Sequence, residues 1–229
     1  VDKGVVAFCH HCQESRFVRD SLSKKDRLSR VFHKPDTSIP ALPKNISSEI
    51  VDTIPPSAQM WLHKYGFHYV DNCFRGIKGK NEQLALKLVD INGDTIGWQV
   101  RNLDGTPPKY INRFFVTNKG NSSWFNQNSD TLVITEDYLS AYKVFKHTPF
   151  NSLALLTTAL SDTALKQIIE YNYNNIKIWL DPDEAGIEGT KKVIKKLRYF
   201  LQEETKVQIV TQNKEAKEST REELRLILI

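Results

Sequence analysis

From residue 131 onward the chain alternates strand-length apolar runs with helical patterns, and this alternation restricts its fold more than any other feature. TLVIT, SLALLT, IKIWL and VQIVT are the runs. They are followed in turn by DYLSAYKVFKH, SDTALKQIIEYN, EAGIEGTKKVIKKLRYFLQEE and STREELRLIL, which carry helical periodicity. Short continuous apolar strands are buried on both faces. The pattern therefore predicts an α/β fold, a parallel sheet with helices on both faces. Ser161 or Asp162, and Ser219 or Thr220, stand where helix N-caps belong.

Upstream the pattern differs. LALKLVDINGDTIGWQVRNLDG contains two extended runs around INGD, and Asn-Gly between such runs predicts a hairpin. SAQMWLHKYGF reads as a short amphipathic helix ending at Gly66. Pro40, Pro43, Pro55 and Pro56 make the preceding stretch a linker. VVAFCHHCQESRFV reads as a strand, a CxxC knuckle and a returning strand. Four segments follow: 1–35, a linker at 36–56, a smaller α+β subdomain at 57–125, and the parallel-sheet domain at 126–229.

With 40% hydrophobic and 26% charged residues, the chain is expected to fold rather than remain disordered. No apolar run approaches a membrane span and nothing at the start looks like a signal peptide, so the cytoplasm, that of an infected host included, is the expected location and no membrane partner is expected. The net charge of +5 suits a polyanionic partner. Three cysteines, Cys9, Cys12 and Cys73, cannot make a disulfide framework, and the spacing of the first two points to metal or thiol chemistry.

Acids stand at two strand ends. LVITED ends at Glu136 with Asp137 beside it, and IKIWLDPD ends at Asp181 and Asp183. In open α/β sheets, ligands bind outside the carboxyl ends of the strands. Neighbouring parallel strands would bring Glu136, Asp181 and Asp183 together. Hard oxygen ligands without His or Cys suit Mg²⁺ or Mn²⁺ rather than zinc. The alternative is that Asp181, Asp183 and Glu184 start a helix, capping its amides and complementing its dipole.

LVITEDYLSA followed by IKIWLDPDEAG resembles the Toprim domain shared by DNA primases, topoisomerases and some nucleases. That family carries a strand-end glutamate and a later D-x-D pair that bind divalent metal, positions matched by Glu136, Asp181 and Asp183. DPDEAG resembles the primase form, with Ala185 and Gly186 opening the helix. Two departures stand out. Asp137 replaces the usual glycine after the glutamate, an extra carboxylate that is a candidate for the metal site or else faces solvent. KEAKESTREEL resembles the K-D-P-K-E segment of bacterial primases at Lys214, Lys217 and Glu218, with Glu215 in place of Asp as a candidate further ligand and Ala216 in place of Pro. A solvated charge run is the alternative for that segment.

LKLVDINGDTIGWQVRNLDGTPPKYIN also resembles the subdomain that precedes Toprim in primases, matching at Gly97, Arg101, Pro108, Lys109, Tyr110 and Asn112. The resemblance implies a nucleotide- and template-binding wall there. Arg101 and Lys109 would hold phosphates, and Tyr110 or Trp98 would stack on a base or be buried. Cys9 and Cys12 resemble half of the primase zinc ribbon, which needs two knuckles separated by about 15–20 residues; His10 or His11 are substitute ligands for Zn²⁺.

What the resemblance implies is a primase that makes short RNA primers from NTPs on single-stranded DNA, with a replicative helicase as a separate protein. The shortness of the chain points to a phage or mobile-element origin. Two other activities share these features: a Toprim metal-dependent nuclease, and a non-catalytic accessory protein that binds single-stranded DNA.

Overall fold

The computed structural model describes the backbone of residues 4–8 and 15–19, and residues 46–68, 71–115, 121–201 and 203–229 in full. Val1–Pro35 and Asp36–Ile229 are separate compact units. The first contains β1 (Gly4–Phe8) and β2 (Ser15–Arg19), an antiparallel pair in register from Gly4↔Arg19 to Phe8↔Ser15. Cys9 and Cys12, with the zinc site expected of them, lie outside the described residues.

The second unit holds two five-stranded sheets. The first is antiparallel, in the order β3 (Ile50–Val51), β4 (Phe74–Ile77), β5 (Lys80–Val89), β6 (Thr95–Asn102), β7 (Tyr110–Phe114). Helix α1 (Pro56–Lys64) lies between β3 and β4 in the chain, and Gly66 follows it with φ of 76°, a left-handed conformation that glycine adopts without steric cost. The hairpin at Asn92-Gly93 forms as expected. The buried Asp90 carboxylate accepts from the amides of Asn92 and Asp94, which closes the turn. β3 lies inside the stretch taken for a linker; Ile50 and Val51 pair with Ile77 and Gly76 at the sheet edge.

The second sheet comprises β8 (Ser123–Phe125), β9 (Thr131–Thr135), β10 (Asn151–Ala154), β11 (Asn175–Trp179) and β12 (Lys206–Ile209). Its order is β12-β11-β9-β10-β8, and its helices are α2 (Tyr138–His147), α3 (Asp162–Tyr171), α4 (Glu184–Phe200) and α5 (Arg221–Leu228). Four strands are parallel; β8 runs antiparallel on the edge, an element too short to announce itself in a polar stretch of sequence. Val133 and Trp179 on one face pack with Val144 of α2 and Leu224 and Leu228 of α5. Leu132, Ile134, Ile176 and Ile178 on the other face are equally inaccessible. This two-sided burial is why the strands read as unbroken apolar runs.

One core joins the two sheets. Leu84, Leu86, Leu88 and Ile96 of the antiparallel sheet meet Ala58 and Leu62 of α1 and Phe125, Tyr138 and Tyr142 of the parallel-sheet half. Ring pairs close the contact: Phe67–Tyr142 centroids are 5.6 Å apart and Phe74–Tyr142 are 5.5 Å apart. Each such pair adds about 1 kcal/mol beyond its burial. Because Tyr138 and Tyr142 lie on α2, this packing fixes the N-terminus of α2, and the acids beside it, against the antiparallel sheet.

Candidate functional site

The parallel pairing Trp179↔Thr135 brings the ends of β9 and β11 side by side, so the acids that follow each strand emerge together. Asp137 caps α2: its Oδ1 accepts from the amides of Leu139 at 2.9 Å and Ser140 at 3.2 Å. Its Oδ2 is buried without a hydrogen bond and lies 3.5 Å from the Lys217 ammonium. Glu136 Oε2 is likewise buried with no hydrogen-bond partner among the described residues. Burial, then the charge of Asp183, pushes the Glu136 carboxyl above the usual range.

Asp181 follows β11. Burial pushes its carboxyl up to about 7, with Glu215, Glu136 and Asp137 adding like-charge repulsion. Gly186 makes this placement possible: a Cβ there would lie 2.0 Å from the Asp181 carbonyl oxygen, so a glycine is required where α4 crosses. Asp183 is exposed and caps α4, accepting from the Gly186 amide at 2.7 Å. The helix-start alternative therefore describes Asp183, while Asp181 points into the cluster of acids.

The tightest grouping is Asp137, Asp181 and Glu215, each offering an oxygen within 4.8 Å of the others. It shares only Asp181 with the strand-end set Glu136, Asp181 and Asp183. Glu215 enters from the chain after β12, as N-cap of a single 3-10 turn at Ala216–Glu218. That segment is pinned: the Trp179 indole donates to the Lys214 carbonyl at 3.0 Å, and the Lys217 amide donates to Ser140 Oγ at 3.2 Å. An all-carboxylate cluster beside buried oxygens that lack hydrogen-bond partners among the described residues, with the Asp181 carboxyl pushed up by burial and like charge, fits a hard divalent cation, whose charge would relieve the repulsion.

The antiparallel sheet supplies the facing wall. Arg101 and Tyr110 are cross-strand partners on β6 and β7. The Arg101 guanidinium sits 4.6 Å from the Tyr110 ring and 5.3 Å from the Trp61 ring. Its Nε and Nη1 are buried without a hydrogen-bond partner among the described residues. Burial pushes the Tyr110 phenol up to about 12; Arg101 and Lys217 oppose that shift and Asp137 adds to it. The Tyr110 hydroxyl is thus within electrostatic reach of both Arg101 and Asp137. Lys109 is exposed beside it, its ammonium 5.8 Å from the Tyr110 ring. Asn112 is occupied inside the sheet, where its Oδ1 accepts from Gln99 at 2.9 Å. Trp98 is buried against Val100 and Ile77 in a separate core cluster, so stacking on a base is closed to it.

Two residues of this site were not anticipated. Trp61, in the WLHKYGF helix, covers Arg101. Lys217, which the sequence matches to a lysine of the K-D-P-K-E-like segment without assigning it a role, makes ion pairs with Asp137 and Glu215. Burial alone would lower the pKa of the Lys217 ammonium; those carboxylates outweigh it and hold it above the usual lysine range.

A family model described as Toprim-like matches residues 134–219. That stretch contains Glu136, Asp137, Asp181, Asp183 and Glu215. The similarity to Toprim-like domains is confined to this stretch of the parallel-sheet half. A DNA primase of Synechococcus elongatus is 26% identical over 125 residues, covering 49% of this chain and 18% of that protein. The catalytic domain of DnaG primase bound to single-stranded DNA superposes with a TM-score of 0.52 at 17% identity, covering 73% of this chain and 56% of that one. The primase fragment of the bacteriophage T7 primase-helicase gives 0.51 at 16% identity, covering 92% and 84%. The match thus spans about a fifth of the curated relative and just over half of the DnaG domain. No described helix is long and apolar enough to cross a membrane.

Proposed function

We propose that this chain contains the catalytic part of a DNA primase, joining NTPs into short RNA on single-stranded DNA in the cytoplasm, with a replicative helicase as its partner. The observation that carries this is a cluster of carboxylates at the carboxyl end of the parallel sheet, whose charge Lys217 offsets only in part, beside an arginine of the second sheet with two buried nitrogens that lack hydrogen-bond partners among the described residues.

Asp181, with Glu136, Asp137, Asp183 and Glu215 around it, would hold Mg²⁺ or Mn²⁺. The ion would neutralise phosphate charge and align the primer hydroxyl with the α-phosphate. Arg101, close to the Trp61 and Tyr110 rings, offers its unpaired N–H groups to phosphate oxygens, and a fork of donors suits that partner better than an ammonium does. Lys109, exposed at the rim, screens the template backbone. Tyr110 keeps its hydroxyl protonated across the physiological range and can donate to a phosphate or sugar oxygen. Cys9 and Cys12 would belong to a zinc-dependent template reader.

The test is incubation with single-stranded DNA, labelled NTPs and Mg²⁺, alongside Glu136→Gln and Asp181→Asn. Short RNA made by the parent and by neither variant is expected. Metal-dependent cutting of the DNA without RNA would replace the proposal with a nuclease. DNA binding indifferent to metal, with no product, would leave an accessory binding protein.

A further inference from the structure

We propose that Lys143, a buried lysine outside the acidic cluster, is a positioning residue that sets the reach of Glu215 into that cluster by holding the backbone of Lys217. This rests on the metal-site reading above and goes beyond it. Asp137 caps α2, and Ser140 and Lys143 follow it at three-residue steps, which makes each a neighbour of the next on the helix surface. Ser140 Oγ accepts from the Lys217 amide at 3.2 Å, and the Lys143 ammonium donates to the Lys217 carbonyl at 2.7 Å. α2 thus grips one residue of the turn by both its N–H and its C=O. Glu215 is the N-cap of that turn. The helix that begins at Asp137 therefore also fixes the segment that carries Glu215, and both acids belong to the group whose oxygens lie within 4.8 Å of one another.

Lys143 is only 7% exposed, and both hydrogen bonds of its ammonium go to backbone carbonyls. Keeping a charge out of water without a carboxylate beside it is costly, and an apolar side chain would fill the space without that cost. What the ammonium adds is two directed donors. One reaches the Lys217 carbonyl and the other the Tyr65 carbonyl at 2.7 Å, at the end of α1. Trp61, which lies against Arg101, belongs to the same α1. One buried atom therefore ties the acid-bearing turn and the helix beside the arginine to α2. On the other side of Glu215 the turn is held by the Trp179 indole, through the Lys214 carbonyl. Without Lys143 the Lys217 carbonyl is released, and the turn is left to pivot on Lys214 and the single bond to Ser140, taking Glu215 with it.

The test is a Mn²⁺ titration of the whole chain, without DNA or nucleotide, following the paramagnetic signal of free aqueous Mn²⁺. Lys143→Met keeps the stem and removes the donors; it is expected to weaken Mn²⁺ binding about tenfold, as loss of a residue supporting a ligand does. A side chain that acts through Glu215 has nothing left to position once that carboxylate is gone. The double variant Lys143→Met, Glu215→Gln should therefore bind Mn²⁺ no more weakly than Glu215→Gln alone. Lys143→Gln, carried through the same pair of titrations, stands in if circular dichroism shows that the methionine variant does not fold. A folded Lys143 variant that binds Mn²⁺ like the parent, or one that weakens binding equally with and without the Glu215 carboxylate, overturns the positioning role and leaves the metal site standing. A parent that binds no Mn²⁺ overturns the metal site itself, and the positioning role with it.

Discussion

The acidic and basic sides of the site handle buried charge in opposite ways. On the acidic side, carboxylates crowd one another; Asp181 is driven to about 7 and oxygens of Glu136 and Asp137 go without hydrogen bonds. On the basic side a single guanidinium is isolated between Trp61 and Tyr110, with two nitrogens left without partners. An unsatisfied buried polar group costs about 1–3 kcal/mol. Folded proteins ordinarily remove that cost by pairing opposite charges, yet among the described residues Arg101 makes no ion pair with the acids, and the cation paired with Asp137 and Glu215 is Lys217. Under the proposed function, each side keeps a charge for something that arrives from outside: a cation for the acids, an anion for the arginine.

The largest break in this symmetry is expected from Asp181→Asn. Primer synthesis should fall by more than about a hundredfold, the upper end of what outer-shell partners of a metal cost. The metal-free variant should nevertheless melt at or above the parent temperature, because a repelled carboxylate has gone. Product gels and thermal melts read the two effects separately. Arg101→Met is the counterpart on the basic wall. Affinity for template and nucleotide should fall about tenfold with the loss of a phosphate contact. The melting temperature should hold or rise, since an apolar chain between Trp61 and Tyr110 needs no partner, and Arg101→Lys should not restore binding.

The smallest effect is a pH dependence confined to the acidic side. Asp181 has a folded-state value of about 7, above the ordinary carboxylate value near 4. Between those values the folded chain binds the proton that the unfolded chain releases. The metal-free protein therefore loses stability as pH rises through that window. Mg²⁺ competes with that proton, so its stabilising shift in melting temperature should be small near pH 5 and grow toward about pH 8. An equal shift at both values would mean that the ion binds away from Asp181.

The parallel-sheet half was legible in the sequence because burial of both faces writes strands as unbroken apolar runs, and because Ser161 and Thr220 cap α3 and α5 from the expected places. The hairpin was legible from Asn92-Gly93. β8 was not, since three residues carry no period. In the site, Glu136, Asp181 and Asp183 followed from the rule that ligands bind at strand ends. The closer grouping through Asp137 and Glu215 is tertiary in origin: it depends on how Trp179, Ser140 and Lys143 anchor the segment after β12. Lys217 was hidden for the same reason. In a run of charges nothing local distinguishes an enclosed lysine from a solvated one.

The most direct test of the acidic side as a metal centre is anomalous diffraction from crystals of this chain soaked in Mn²⁺ near neutral pH. The account predicts an anomalous peak at coordination distance from the Asp181 carboxylate and beside Glu136. A map with no peak at Asp181, its carboxylate paired to a protein cation instead, would contradict it.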